Sequence, residues 1–193
     1  SHGRRAHIEF GYSCMGYELP AGLGVRMAQT EGEVFVFVGD GTYILQPTEL
    51  ITAVQENMKI TVIVSENHGF QSIRNLQMGR AGRSFGNEFR ARDRETNRLE
   101  GEYVQIDFAG NAESMGARSW RVRTPDEVRQ ASSEAREETR PCLIVAEVQP
   151  HRYCPPSGVW WDVAAAEVSQ DPETRQRRAE YEKGRAELQR LYY

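Results

Sequence analysis

The sequence predicts an α/β domain: an open, mainly parallel sheet with helices on both faces. Two observations lead there. First, three runs are apolar on both sides of an extended chain: Val34–Val38, Ile60–Ser65 and Cys142–Val148. Continuous β-branched and aromatic runs of this length suit central strands that are covered on both faces. Second, helical segments fall between them, giving the alternation of helix and strand that crossover connections require.

The elements follow in order. Leu19–Gln29 reads as a helix after a glycine-containing loop, and Pro47–Asn57 as a helix with proline in its first turn and Leu50 and Val54 on one face. Both glycine turns that follow the first two strands are expected to open helices, near Thr42 and near Phe70. Val104–Phe108 and Trp120–Val122 are shorter strand candidates. Asn111–Gly116 is a short helix ending on glycine. Thr124-Pro125-Asp126-Glu127 has the spacing of a capping box and starts a helix to about Glu138. Residues 79–102 are polar, glycine-containing and without period, so they predict an irregular, mobile stretch over a functional site. From Asp171 the chain is charged and reads as a solvent-exposed terminal helix. The expected organisation is one domain over residues 1–170 and a helical extension over 171–193.

Composition excludes several classes. Hydrophobic residues are 39% of the 193, enough for a core, and the formal net charge is −4, with both signs interspersed. That balance argues against a nucleic-acid or membrane-surface partner. Arg80, Arg83, Arg90, Arg92, Arg94 and Arg98 are largely offset by Glu88, Asp93, Glu95 and Glu100. Cys14, Cys142 and Cys154 give neither a disulfide framework nor a zinc motif, and His151 with Cys154 is too little for one. There is no secretory signal and no membrane-spanning run, so a cytoplasmic location is expected. Trp160 and Trp161 read as cover for the core or for the terminal helix.

Two strand ends carry the chemistry. The first strand runs into Gly39-Asp40-Gly41-Thr42, the second into Glu66-Asn67-His68-Gly69. In an open α/β sheet, ligands bind at the carboxyl ends of the strands. Asp40 offers a hard carboxylate oxygen, Asn67 a neutral amide oxygen, and Gly69 a backbone carbonyl. Mg²⁺ prefers few such protein ligands together with phosphate oxygens. Gly39 and Gly41 let the backbone approach a diphosphate, and amides at the Thr42 and Phe70 turns can donate to it. Either turn alone is commonplace; their combination, separated by the 25 residues Thr42–Glu66, is more specific.

That spacing resembles the diphosphate and Mg²⁺ motif of thiamine diphosphate (ThDP) enzymes. Upstream, Cys14-Met15-Gly16-Tyr17-Glu18-Leu19-Pro20-Ala21-Gly22 is similar to the Met-Gly loop of the acetolactate synthase-like members. The resemblance implies a six-stranded parallel sheet and Met15, on the loop with Gly16, holding the cofactor bent; His68, because it adjoins Asn67, is expected to line the crevice, with Gly69 and Phe70 at the same turn. Four further stretches are similar to the trihydroxycyclohexanedione hydrolases of inositol catabolism: Gly11–Glu18, Asn75–Gly79, Asp107–Ser114 and Gly158–Asp162. Those enzymes open a cyclic dione to 5-deoxyglucuronate. Glu66 and Glu18 depart from the wider family, which often has asparagine and glycine there. The resemblance further implies that a pyrimidine-activating glutamate comes from outside this chain, so no catalytic residue is assigned within it. The chain is expected to be part of a longer subunit, completed by N-terminal domains and self-associating. An acetolactate synthase-like carboligase, a 2-oxoacid decarboxylase and a non-catalytic Mg²⁺ or phosphate-binding regulatory domain are the alternatives.

Overall fold

A computed structural model describes residues 6–9, 11–152 and 164–188. The chain divides into two units, Ser1–Gly69 with Gln105–Pro150, and Phe70–Val104 with His151–Tyr193.

The first unit is built on four parallel strands: β1 (Phe35–Gly39), β2 (Thr61–Glu66), β3 (Arg118–Val122) and β4 (Cys142–Glu147), in the order β1-β2-β4-β3. Five helices accompany them: α1 (Glu18–Ala28), α2 (Asp40–Tyr43), α3 (Glu49–Gln55), α5 (Phe108–Ser114) and α6 (Pro125–Glu137). The resemblance implied six strands; the described residues hold four. Side chains alternate across the sheet as the pleat requires. On one face Val36, Val62, Val64, Leu143 and Val145 are buried, and α1, α3 and α5 lie over them.

Gly22 of α1 sits where a Cβ would come 2.3 Å from Val36 Cγ2, so only glycine allows this approach of helix to strand. Ser119 Oγ donates to Glu113 Oε1 of α5 on the same face (2.9 Å). On the opposite face, Ala131 and Ala135 of α6 pack on Val122, Cys142 and Ile144. That cover reaches the β3 and β4 side; Phe37, mid-strand on the edge strand β1, stays 69% exposed.

Helix starts follow the expected caps. Thr124 accepts from the Glu127 amide while Glu127 Oε2 accepts from the Thr124 amide, closing the capping box. Val104–Phe108 is not a strand. The Asp107 side chain accepts from the Gly110 amide (2.9 Å) and starts α5 three residues earlier than the sequence suggested. Local capping outweighs β-propensity over so short a run.

The second unit holds α4 (Gln71–Ala81) and α7 (Pro172–Leu188). Gly82 ends α4 in the left-handed region (φ 68°). Arg177 of α7 donates to the Gly79 carbonyl (3.0 Å) and pairs with Glu173 (2.8 Å), so α7 touches α4 along one side while most of its residues face solvent, as expected. Of the stretch 79–102 expected to be irregular, residues 79–81 complete α4; residues 83–102 form no helix or named strand, as expected, yet they are closely bonded. The Phe70 amide donates to the Asn87 carbonyl (2.7 Å), the Val104 amide to the Phe89 carbonyl (2.7 Å), and Asn87 Nδ2 to Gln77 Oε1 (2.7 Å). At their centre Glu88 accepts from Tyr103 Oη (2.7 Å) and Arg74 Nε (3.1 Å) and pairs with His151 Nε2 (2.9 Å). Ser1–Gly3, Cys154 and the Gly158–Asp162 stretch with Trp160 and Trp161 lie outside the described residues.

Candidate functional site

β1 delivers Asp40 to the carboxyl edge of the sheet, and α2 fixes it there. Tyr43, 1% exposed, donates from its hydroxyl to Asn111 Oδ1 (2.8 Å) and stands edge-on to Phe108. Asp40 itself is fully buried. Its Oδ1 accepts from the Gly41 amide (2.7 Å), and its Oδ2 from the Asn67 (2.9 Å) and His68 (2.6 Å) amides. The Gly69 amide is shared between both oxygens at 3.2 and 3.3 Å. Burial lifts the Asp40 carboxyl above its ordinary value, against the opposing pull of these four amides.

The turn after β2 is shaped to make these bonds. His68 has φ 63° and Gly69 φ 142°. A left-handed histidine is uncommon and costs about 1–3 kcal/mol unless its surroundings impose it. Here the carboxylate of Asp40, gathering three consecutive amides, imposes it.

The three groups named as metal ligands meet. With its amide nitrogen turned toward them, Asn67 donates to Asp40 Oδ1 (3.1 Å) and to the Gly69 carbonyl (2.8 Å). Turned over, the same amide presents oxygen at that point, beside the other two oxygens. Adjacent ligands of an octahedral ion at about 2.1 Å lie about 3.0 Å apart, so this spacing fits Mg²⁺. The donor chemistry, one carboxylate, one amide oxygen and one carbonyl, also fits a hard cation that shares its remaining positions with phosphate. Among the described residues, no group of three or more His, Cys, Asp and Glu side chains offers another metal site.

The Met-Gly loop stands at the same end of β1. Gly22 lies against Val36, and the helix start at Glu18, about 6 Å further along, is displaced from it. A Cβ on Gly16 (φ 93°) would lie 3.6 and 3.7 Å from the Gln46 and Leu45 Cβ atoms, just beyond α2. Met15 is half-exposed. Thr42 is half-buried within α2. Phe70 belongs to the second unit, where its amide is committed to Asn87; that amide is not free for a phosphate, which corrects the expectation placed on it.

Sequence reasoning missed three features here. Glu66, 3% exposed, accepts from Arg121 Nη1 (2.6 Å), which reaches across β4 and also donates to the Ile106 carbonyl (3.3 Å). Burial raises the Glu66 carboxyl, with Arg121 and His68 pulling it back. Glu9 binds the loop ahead of Met15, and Asn111 anchors Tyr43. The odd glutamate at position 66 was a visible signal; its partner, on a strand two places away in the sheet, was not. Cys14 is exposed and Cys142 buried, with burial pushing the Cys142 thiol up to about 11. No helix among the described residues is long and apolar enough to cross a membrane.

Comparison with known proteins agrees with the fold and with the family that the sequence resembles. Residues 1–146 match the family described as thiamine pyrophosphate enzyme, C-terminal TPP binding domain. The chain is 44% identical over 163 residues to 3D-(3,5/4)-trihydroxycyclohexane-1,2-dione hydrolase 2 of Bacillus cereus (strain ZK / E33L), covering 84% of this chain and 25% of that protein. It is 42% identical over 165 residues to the 3D-(3,5/4)-trihydroxycyclohexane-1,2-dione hydrolase of Bacillus cereus (strain AH820), covering 86% and 26%. The chain thus spans about a quarter of the length of these relatives. Among solved structures, it resembles the thiamine diphosphate-dependent 4-hydroxybenzoylformate decarboxylase of Rhodococcus jostii RHA1, with a TM-score of 0.59 and 25% identity over 70% of this chain and 23% of that one. The chain belongs to the C-terminal TPP-binding domain family of thiamine pyrophosphate enzymes.

Proposed function

We propose that this chain supplies the diphosphate- and Mg²⁺-binding half of the site in a cytoplasmic enzyme that opens trihydroxycyclohexane-1,2-dione by hydrolysing a carbon–carbon bond. One observation carries the reading: at the carboxyl end of β1 and β2 the Asn67 side-chain amide lies between Asp40 Oδ1 (3.1 Å) and the Gly69 carbonyl (2.8 Å). The choice of substrate rests on the relatives, since 44% identity to a dione hydrolase exceeds 25% to a decarboxylase.

In this reading Asp40, Asn67 and Gly69 hold Mg²⁺ against the diphosphate. Gly39, Gly41 and Thr42 form the surface on which the phosphates rest, Met15 and Gly16 support the thiazolium end, and His68 lines the crevice. When bound, ThDP supplies an electron sink for the pair released as the carbon–carbon bond breaks. This chain's part is to fix that group's position and to keep water from one side of it. The pyrimidine-activating glutamate comes from other domains of the same subunit or from a second copy.

The test has two arms. Titration with ThDP should give binding that depends on Mg²⁺; Mg²⁺-independent binding, or none with an intact fold, counts against the site. In the full-length protein, turnover of the cyclic dione rather than pyruvate is expected, whereas the 193-residue chain alone turns over neither. Dione turnover by the isolated chain at the full-length rate would overturn the half-site reading.

A further inference from the structure

Glu9 stands ahead of the Met-Gly loop and binds it. Its Oε1 accepts from the Tyr12 amide (3.0 Å) and its Oε2 from the Cys14 amide (2.7 Å). Between those two amides lies Ser13, with φ 51°. A left-handed serine is held only where neighbouring groups over-determine it. Two amides flanking a left-handed residue converge on one side, and a carboxylate is the complementary partner for such a concavity. A second link runs from the same segment to the far end of the loop: His7 Nε2 lies 2.8 Å from the Tyr17 hydroxyl. The Tyr17 amide closes the loop on the Cys14 carbonyl (3.3 Å). Met15, half-exposed, and Gly16 (φ 93°) therefore sit in a turn whose entry is set by Glu9 and whose exit is tied to His7.

We propose that Glu9 is a positioning residue that holds the Met15–Gly16 loop in the conformation that receives the thiazolium end of the cofactor. The inference rests on the reading of that loop given under the proposed function, and it concerns a residue well separated from Asp40 in sequence. Glu9 touches neither metal nor phosphate in this scheme. It acts through the backbone of Tyr12 and Cys14, so its loss should loosen the loop and leave the diphosphate anchor as it was.

The experiment compares Glu9→Ala, Glu9→Gln and Asp40→Asn in the 193-residue chain. Without ligand, Glu9→Ala should speed amide exchange at Tyr12 and Cys14 at least about tenfold, as loss of a charge-assisted bond implies. Glu9→Gln keeps one acceptor oxygen and should fall between. With Mg²⁺ present, Glu9→Ala should weaken ThDP about tenfold while inorganic pyrophosphate binds as in the unaltered chain. Asp40→Asn should weaken both. Equal loss of both ligands in Glu9→Ala would mean a merely structural role and would overturn the proposal. So would unchanged exchange, or ThDP binding no tighter than pyrophosphate in the unaltered chain. Pyrophosphate binding that survives Asp40→Asn would instead sink the underlying reading of the metal site.

Discussion

Asp40 in the first unit and Glu88 in the second are enclosed carboxylates, the one fully buried and the other half-buried, and they are satisfied by different means. Asp40 is fully buried, and four backbone amides bond it; burial still lifts it above its ordinary 3.8. Burial also pushes Glu88 up, but hydrogen bonds from Tyr103, His151 and Arg74 and the charge of Arg90 overcome it and hold the carboxyl down at about 2. Amide dipoles orient a carboxylate without neutralising it, whereas the guanidinium groups of Arg74 and Arg90 bring a full opposite charge. Glu88 is a finished structural hub. Asp40 has its geometry fixed and its charge uncompensated, which is the condition a hard cation relieves. The same residue class thus marks a frame in one unit and a binding site in the other.

The largest test of this contrast is Asp40→Ala. Removing the metal ligand should weaken Mg²⁺-dependent ThDP binding by at least about 100-fold, the upper end of what losing even an outer partner of a metal costs. Calorimetric titration measures it, and retained affinity would place Asp40 in the same class as Glu88. Glu88→Gln should leave binding alone and cost about 2–3 kcal/mol of stability at neutral pH, allowing for solvent reaching His151. Because the folded value lies below the ordinary 4.5, this contribution is present above pH 4.5 and fades as pH falls toward about 2. Denaturation of both proteins across that window should show the difference closing at the acid end.

The sign is reversed at Asp40. Its folded value is raised, so stability from this group is lost as pH rises through the window above 3.8. Mg²⁺ binds the ionised form, so Mg²⁺ with pyrophosphate should raise the melting temperature at pH 7 and do little near pH 4. An equal rise at both would show that the carboxylate is not the ligand. Smallest of all, Tyr103→Phe removes one of several donors to Glu88 and should cost about 1 kcal/mol in denaturant unfolding. A loss approaching that of Glu88→Gln would mean that the hub rests on Tyr103 rather than on its charges.

Much of the frame was legible because its signals are local. The apolar runs at Val34–Val38, Ile60–Ser65 and Cys142–Val148 became β1, β2 and β4 within a residue or two, and Thr124–Glu127 formed the expected capping box. Where local signals conflict, the reading failed. Val104–Phe108 has a strand's composition, but Asp107 can cap a helix, and the cap prevailed. Glu88 looked like one of several charges offsetting nearby arginines. Only folding shows that it gathers Arg74, Tyr103 and His151, the last 63 residues away in the chain.

For the candidate site, sequence by itself determined the parts: a carboxylate and an amide at two strand ends, glycines where the backbone must turn tightly, and a Met-Gly loop upstream. It did so because strand, turn and spacing are properties of neighbouring residues. Tertiary structure alone decided the strand order β1-β2-β4-β3, which sets β1 and β2 side by side. It also decided that Asp40 collects the amides of Asn67, His68 and Gly69, that Arg121 crosses β4 to reach Glu66, and that Glu9 holds the loop around Ser13. These contacts join segments whose sequence patterns carry no record of each other. The free energy that selects them comes from burying the sheet's faces and satisfying the polar groups enclosed with them, which only the assembled fold can do.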